Sequence, residues 1–274
     1  GSHMNIDHKY RQFLPESRRV VVKIGTRVIA QRTGRPDPVR LNSLVAQIAT
    51  LRRRGIEVVV VTSGAVGAGM EALGIRERPT VVSDLQMCAP VGQARLMTAY
   101  TKLFMAHKIR IGQVLLTHDD FDHRVRNANA RRTLEHLLRA GVVPIINEND
   151  VVADEELKAE FSFGDNDFLA ALVVKLIRAD LLVILSTVDG VLRMDGARRR
   201  RLPCIDKIGP EVYRLVNPGA SALSKGGMDS KLRSAQIAAR AGCSVVIGNG
   251  RRNNTLTDIL AGKDVGTLIP GTSL

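Results

Sequence analysis

Two lysines set in glycine-rich surroundings carry the strongest chemical signal in this sequence. Lys23 follows Val20-Val21-Val22 and precedes Ile24-Gly25-Thr26, and Lys231 closes the run Lys225-Gly226-Gly227-Met228-Asp229-Ser230-Lys231. Glycine lets backbone N–H groups approach an anion that a side chain would keep away. Ammonium groups beside such a turn are what phosphoryl transfer requires, because its transition state carries negative charge on every oxygen of the moving group. A solvated surface ammonium is the plain alternative for any lysine. Lys23, however, sits in an otherwise apolar strand, where an unpaired ammonium is costly, and this favours a functional role. A third turn, Ser63-Gly64-Ala65-Val66-Gly67-Ala68-Gly69, follows the run Val58–Val61. Its Gly-x-x-Gly-x-Gly spacing is neither that of a dinucleotide site nor that of a Walker loop, so anion binding and a tight turn without a ligand both remain open.

Two polar clusters complete the candidate chemistry. Asn147-Glu148-Asn149-Asp150 follows the apolar run 142–146, at the strand end where open parallel sheets place their ligands. Asp165-Asn166-Asp167 precedes an apolar helical pattern, and both aspartates read first as helix caps. The histidines are scattered without ligand spacing, so no residue is assigned to a metal. Cys88, Cys204 and Cys243 are odd in number and far apart, which fits reduced thiols in the cytoplasm.

The elements that must position these groups alternate regularly. Buried strands are predicted at 20–24, 58–61, 111–116, 142–146, 181–185, 244–247 and 266–269. Helices are predicted from Pro38 to the stop at Gly55, at 84–107 with a break near Pro90-Val91-Gly92, and at 124–139, 167–178, 210–216, 225–241 and 255–261. Residues 5–17 read as a loose leader, 151–163 as an acidic flap and 198–201 as part of a basic loop. Strands alternating with helices predict an α/β fold with an open, mainly parallel central sheet. Gly1-Ser2-His3-Met4 has the form of an expression-tag remnant.

The formal charge of +13 raises nucleic acid or an acidic membrane surface as partners. The arginines come in short clusters, and aromatic residues make up only 3%, leaving few stacking platforms for single strands. Nucleic acid is therefore disfavoured. No apolar run has the roughly 18 residues of a membrane span and no signal peptide opens the chain, so no membrane association and a cytoplasmic location are expected.

Taken together, Lys23-Ile24-Gly25-Thr26, Val61-Thr62-Ser63-Gly64-Ala65-Val66, Val91-Gly92-Gln93, Ile146-Asn147-Glu148-Asn149-Asp150, Phe163-Gly164-Asp165-Asn166-Asp167 and Gly226-Gly227-Met228-x-x-Lys231 resemble the motif series of the amino acid kinase family. The Asn-Glu-Asn-Asp and Phe-Gly-Asp-Asn-Asp pair narrows the resemblance to the branch that phosphorylates glutamate. It implies a three-layer αβα sandwich, with residues 1–17 as tag remnant and leader and 18–274 as a single kinase domain. It also implies transfer of phosphate from ATP, with Mg²⁺, to the γ-carboxylate of L-glutamate. Lys23 and Lys231 would neutralise the moving phosphoryl group and Asp165 would orient them. Ser63, Gly64, Ala65, Asp150 and Asn166 would bind glutamate. Lys23, Gly25, Thr26, Ser186, Thr187 and the run Lys225, Gly226, Gly227, Met228, Asp229, Ser230, Lys231 would lie on the nucleotide side. A homo-oligomer, dimer or tetramer, and feedback inhibition by proline are further implications. A carboxylate acceptor, ionised at neutral pH, needs no general base.

Three positions depart from the family pattern: Thr187 stands where Asp is usual, Arg27 where a small residue is usual, and Lys225 where Thr or Gly is common. All three make the nucleotide side more positive and bear on its affinity. Many bacterial relatives continue into a small PUA domain, an RNA-binding type of fold. The chain ends at Leu274 and is expected to lack that domain. Two alternatives stand beside this reading: a relative acting on another carboxylate, carbamate or phosphate, and a weakly active regulatory or polyanion-binding relative.

Overall fold

The computed structural model describes residues 9–153, 166–216 and 227–272. Its strands are β1 Arg19–Ile24, β2 Glu57–Val61, β3 Ile111–Leu116, β4 Val143–Glu148, β5 Leu181–Ser186, β6 Leu192–Asp195, β7 Arg198–Arg201, β8 Ser244–Asn249 and β9 Thr267–Ile269. Seven of them form one sheet in the order β3-β4-β2-β1-β5-β8-β9, while β6 and β7 pair separately. Every neighbour pair in the large sheet is parallel except β8 with β9. The helices are α1 Thr26–Ile29, α2 Pro38–Arg53, α3 Ala65–Ala72, α4 Val82–Met105, α5 His118–Asp122, α6 Arg124–Arg139, α7 Asp167–Ile177, α8 Pro210–Val216, α9 Gly227–Arg240 and α10 Thr255–Leu260.

Strand side chains alternate between faces, and each face carries its own apolar core. Val20, Val22, Ile24, Val58 and Val60 pack under α2, α4 and α10. Val21, Val59, Val61, Leu182 and Ile184 pack under α6, α7 and α9. Continuous Val and Leu runs are what a parallel sheet covered on both sides requires, and the three-layer αβα arrangement follows. The same period of two assigns Lys23 to the face of Val21, beneath α7 and α9.

Several local expectations change. The glycines after β2 do not form one extended turn. Only Gly64 sits in it, as the left-handed N-cap of α3 with φ 94°, whereas Gly67 and Gly69 lie inside the helix. Gly67 meets Gly34, and Gly69 lets α3 approach α4 at Cys88. Gly92 does the same from the other side, since a methyl there would overlap the Ala65 carbonyl. The helix expected to break near Pro90 runs on from Val82 to Met105, with Pro90 inside it. The close α3–α4 contact holds that turn helical despite the missing N–H. The basic loop contains a hairpin, β6 with β7. Nor is the leader loose throughout. Arg11 is 2% exposed, and its guanidinium donates to the carbonyls of Lys263, Val265, Pro203 and Gly266 at 2.9–3.2 Å. Most of the flap expected at 151–163 lies outside the described residues.

The glycine contacts lead to a stability test. Gly69→Ala and Gly92→Ala each force two backbones apart and are expected to cost about 3 kcal/mol or more. That cost corresponds to a fall in Tm of roughly 6–12 °C. Gly209→Ala, where an added methyl meets nothing within 4 Å, is the control and stays within about 0.5 kcal/mol.

Candidate active site

The chain passes from β1 to β2 on one side of the sheet and later returns to β5 on the other, so the crevice between the carboxyl ends of β1 and β5 is the topological switch point. Lys23 lies at that edge. Its side chain is 1% exposed and its Nζ is 2.7 Å from Oδ1 of Asp167, whose side chain is fully buried. Asp167 is the first residue of α7. Its other oxygen takes Lys231 Nζ at 3.4 Å and accepts from Ser230 Oγ at 3.2 Å. Lys231 Nζ also donates to the Gly227 carbonyl at 3.3 Å, which folds the side chain back along the first turn of α9. Two ammoniums from remote parts of the chain thus share one buried carboxylate. Gly25 closes the β1 end by donating its N–H to the Leu185 carbonyl at 3.0 Å. A methyl on Gly25 would meet that same carbonyl and come within 3.7 Å of Lys23 Nζ.

Beside this cluster is a chain of side-chain amides. Asn166 donates from Nδ2 to the Thr62 carbonyl and to Asn147 Oδ1, both at 2.6 Å. Asn147 Nδ2 donates to Gln93 Oε1 at 2.7 Å, and Gln93 Nε2 donates to Gln113 Oε1 at 3.0 Å. Thr62 is tethered by a 2.8 Å hydrogen bond between its hydroxyl and that of Tyr100. Burial pushes the Tyr100 phenol well up, so it stays neutral. Ser63 is 1% exposed, and its hydroxyl has no hydrogen-bond partner among the described residues. A cavity of about 270 Å³ opens next to these groups, lined among others by Ala65, Gln93, Asn147, Glu148 and Asp150. On its flank, His118 Nδ1 lies 3.3 Å from Glu148 Oε1. The His118 ring stacks on Phe168 with 5.1 Å between centroids, which ties the end of β4 to the start of α7.

The structure brings Lys23, Lys231, Gly227 and Ser230 together and places Asn166 beside them. Gly64 caps α3 and Ala65 is its first residue, next to Ser63, and Asp150 follows β4 at 9% exposure. Gly25 and Thr26 form the β1–α1 turn. Ser186 ends β5 with its hydroxyl accepting from the Val188 N–H at 3.3 Å, and Thr187 beside it is exposed. Met228 packs against the apolar core under α9, and Asp229 is buried. Arg27 is exposed, and its carbonyl receives Arg251 Nη2 at 2.7 Å. Asp165, Lys225 and Gly226 lie outside the described residues. The carboxylate found between the lysines is Asp167, which the sequence reads as a cap. Asn166 is the N-cap residue of α7 and makes no side-chain capping bond. Strand alternation was the available clue, since it puts Lys23 on the face that α7 covers. Gln93 belongs to the motif Val91-Gly92-Gln93, which assigns it no role, and Gln113 carried no signal.

Comparison with known proteins identifies the family and the fold. The model of the amino acid kinase family matches residues 18–249. The chain is 43% identical over 262 residues to glutamate 5-kinase of Methylococcus capsulatus, covering 94% of this chain and 69% of that protein. It is 44% identical to glutamate 5-kinase of Azoarcus sp., with 94% and 70% covered. Among solved structures, an isopentenyl phosphate kinase superposes with a TM-score of 0.66 at 17% identity, covering 92% of this chain and 99% of that one. A carbamate kinase from Giardia lamblia bound to AMP-PNP gives 0.65 at 20% identity, with 93% and 99% covered. The fold is thus shared with enzymes of different substrates, and at the level of sequence the chain belongs to the amino acid kinase family and groups with its glutamate 5-kinases.

Proposed function

We propose that the chain transfers the γ-phosphoryl group of MgATP to the γ-carboxylate of L-glutamate, giving L-glutamyl 5-phosphate, the first step towards proline. The observation that carries this reading is the convergence of Lys23 and Lys231 on buried Asp167 at the switch point of the sheet. Glutamate 5-kinase, the name its relatives bear, supplies the acceptor. A carboxylate oxygen attacks the γ-phosphorus, and the bond to the β,γ-bridging oxygen breaks with its electron pair leaving on ADP. The acceptor releases no proton, so no side chain is needed as a base. Lys23 and Lys231 offset the charge on the equatorial oxygens, and Asp167 holds both in place before substrate arrives.

On the acceptor side, Ser63 and the N–H groups of Gly64 and Ala65 take the α-carboxylate, while Asp150 and Asn166 face the α-ammonium. On the donor side lie Gly25, Thr26, Ser186, Thr187 and the run that ends at Lys231. No group of three or more His, Cys, Asp or Glu side chains among the described residues is placed to hold an ion, and Asp167 already serves two ammoniums. Mg²⁺ enters this reading as part of the nucleotide substrate, bound to its phosphates and water. A homo-oligomer, a cytoplasmic location and inhibition by proline at the glutamate site complete the proposal. No helix among the described residues is long and apolar enough to cross a membrane.

The direct test is hydroxamate formation from glutamate, MgATP and hydroxylamine, with proline as a competing arm. Lys231→Ala is expected to lower kcat by about 10²–10³, and intact protein yielding no product sinks the proposal. Ser63→Ala is expected to raise the KM for glutamate more than that for ATP, and the reverse order would move Ser63 to the nucleotide.

A further inference from the structure

The three peptide groups that follow β2 are each held through the carbonyl. The Thr62 carbonyl accepts from Asn166 Nδ2 at 2.6 Å, the Ser63 carbonyl from the Thr62 hydroxyl at 3.2 Å, and the Gly64 carbonyl from the Ala68 N–H at 3.0 Å. In a trans peptide the N–H points opposite to the C=O, so these bonds aim the N–H groups of Ser63, Gly64 and Ala65 the other way. None of those three N–H groups has a main-chain acceptor among the described residues. The middle peptide is the one most easily lost. Gly64 has φ 94°, and turning the Ser63–Gly64 peptide over would bring it to negative φ, which glycine reaches as readily. The Thr62 hydroxyl, on the Ser63 carbonyl, opposes that turn.

The direction of this bond is forced. Tyr100 is fully buried, and burial keeps its phenol protonated. The acceptor that its O–H meets among the described residues is Thr62 Oγ1, at 2.8 Å. A hydroxyl has one hydrogen. With Tyr100 donating to it, Thr62 directs its own to the Ser63 carbonyl. Packing does not ask for either hydroxyl. Val58 and Val60 share an apolar core with Tyr100, and the period of two brings Thr62 to that same face, where another valine would continue the run.

We infer that Thr62 is a positioning residue for the acceptor substrate: oriented by Tyr100, its hydroxyl locks the Ser63–Gly64 peptide so that the Gly64 N–H faces the site. The inference rests on the functional reading above, in which that N–H takes the α-carboxylate of glutamate. Such a bond is charge-assisted and stronger than a neutral one. Without the lock, the peptide turns over and presents a carbonyl oxygen to the same anion.

The test uses the intact chain, with the Kd for glutamate from calorimetric titration, KM values from the hydroxamate assay and Tm from thermal unfolding. Thr62→Val keeps the shape, removes the lock and leaves the Tyr100 O–H buried without an acceptor. Glutamate binding is expected to weaken about tenfold, with the KM for ATP unchanged, and Tm to fall by about 5 °C. Adding Tyr100→Phe removes the stranded hydroxyl. The double variant is therefore expected to return to within about 2 °C of the wild-type Tm while its glutamate binding stays about tenfold weak. Thr62→Ser retains the hydroxyl and is expected to hold glutamate affinity within about threefold of wild type. Glutamate affinity that recovers together with Tm in the double variant makes Thr62 a packing residue and overturns the inference. So does wild-type affinity in Thr62→Val, a tenfold loss in Thr62→Ser, or a change in the KM for ATP in place of that for glutamate. Wild-type protein that binds glutamate yet forms no hydroxamate refutes the kinase reading, and the Kd series still decides the role of Thr62. Wild-type protein that binds no glutamate overturns both.

Discussion

The ion pair between Lys23 and Asp167 is the constraint on which the rest of the site depends. Both side chains are shielded from water, at 1% and 0% exposure, and removing either partner alone would strand a buried charge at a cost of roughly 3–5 kcal/mol. Apolar residues of similar size in both positions would be neutral or stabilising, so stability does not account for the pair. Its value is positional. Asp167 offers its second oxygen to Lys231, which is 12% exposed at the side chain and able to meet a ligand, and so the buried lysine fixes the accessible one through a shared carboxylate.

Such a cluster needs a place where a strand end, a helix start and a second helix start meet. The switch point supplies it, since β1 and β5 run side by side there while their connections leave in opposite directions. Asp167 is delivered at the first residue of α7 and Lys231 from the first turn of α9, both on the face that alternation assigns to Lys23. The opposite face, with α2, α4 and α10, is packed with apolar side chains. Asn166, next to Asp167, extends the same rigid start of α7 towards the cavity that Asn147 and Asp150 line. The lysine–carboxylate cluster and the amide chain are therefore joined through one turn of backbone.

Glycine has two separate uses here that a linear pattern does not distinguish. Gly64 takes a left-handed conformation to start α3, and Gly25 keeps backbone and ammonium close at the end of β1. Gly67, Gly69 and Gly92 instead allow close approach of backbones, α3 against α4 and against the loop at Gly34. In sequence Gly64, Gly67 and Gly69 look like one glycine-rich turn, open to anion binding or to no ligand at all.

The amino-acid sequence by itself determined the strand and helix alternation, the parallel sheet and the choice of Lys23 and Lys231 as candidates, because runs such as Val58–Val61 suit only a strand covered on both faces and Lys23 breaks such a run. The ends of α6 and α8 and the extent of β3 were legible residue for residue, since periodicity and stop signals coincide there. Only the tertiary structure showed that Lys23 and Lys231 share Asp167, because that contact exists only once α7 and α9 are docked on the face of Lys23. Likewise, nothing local marks Gln93 or Asn147 as members of one amide chain. Their pairing joins α4 to β4 and α7, and hydrogen-bond direction exists only after those elements have met and the backbone groups of Thr62 and Glu148, which bond Asn166 and Asn147, have been aimed.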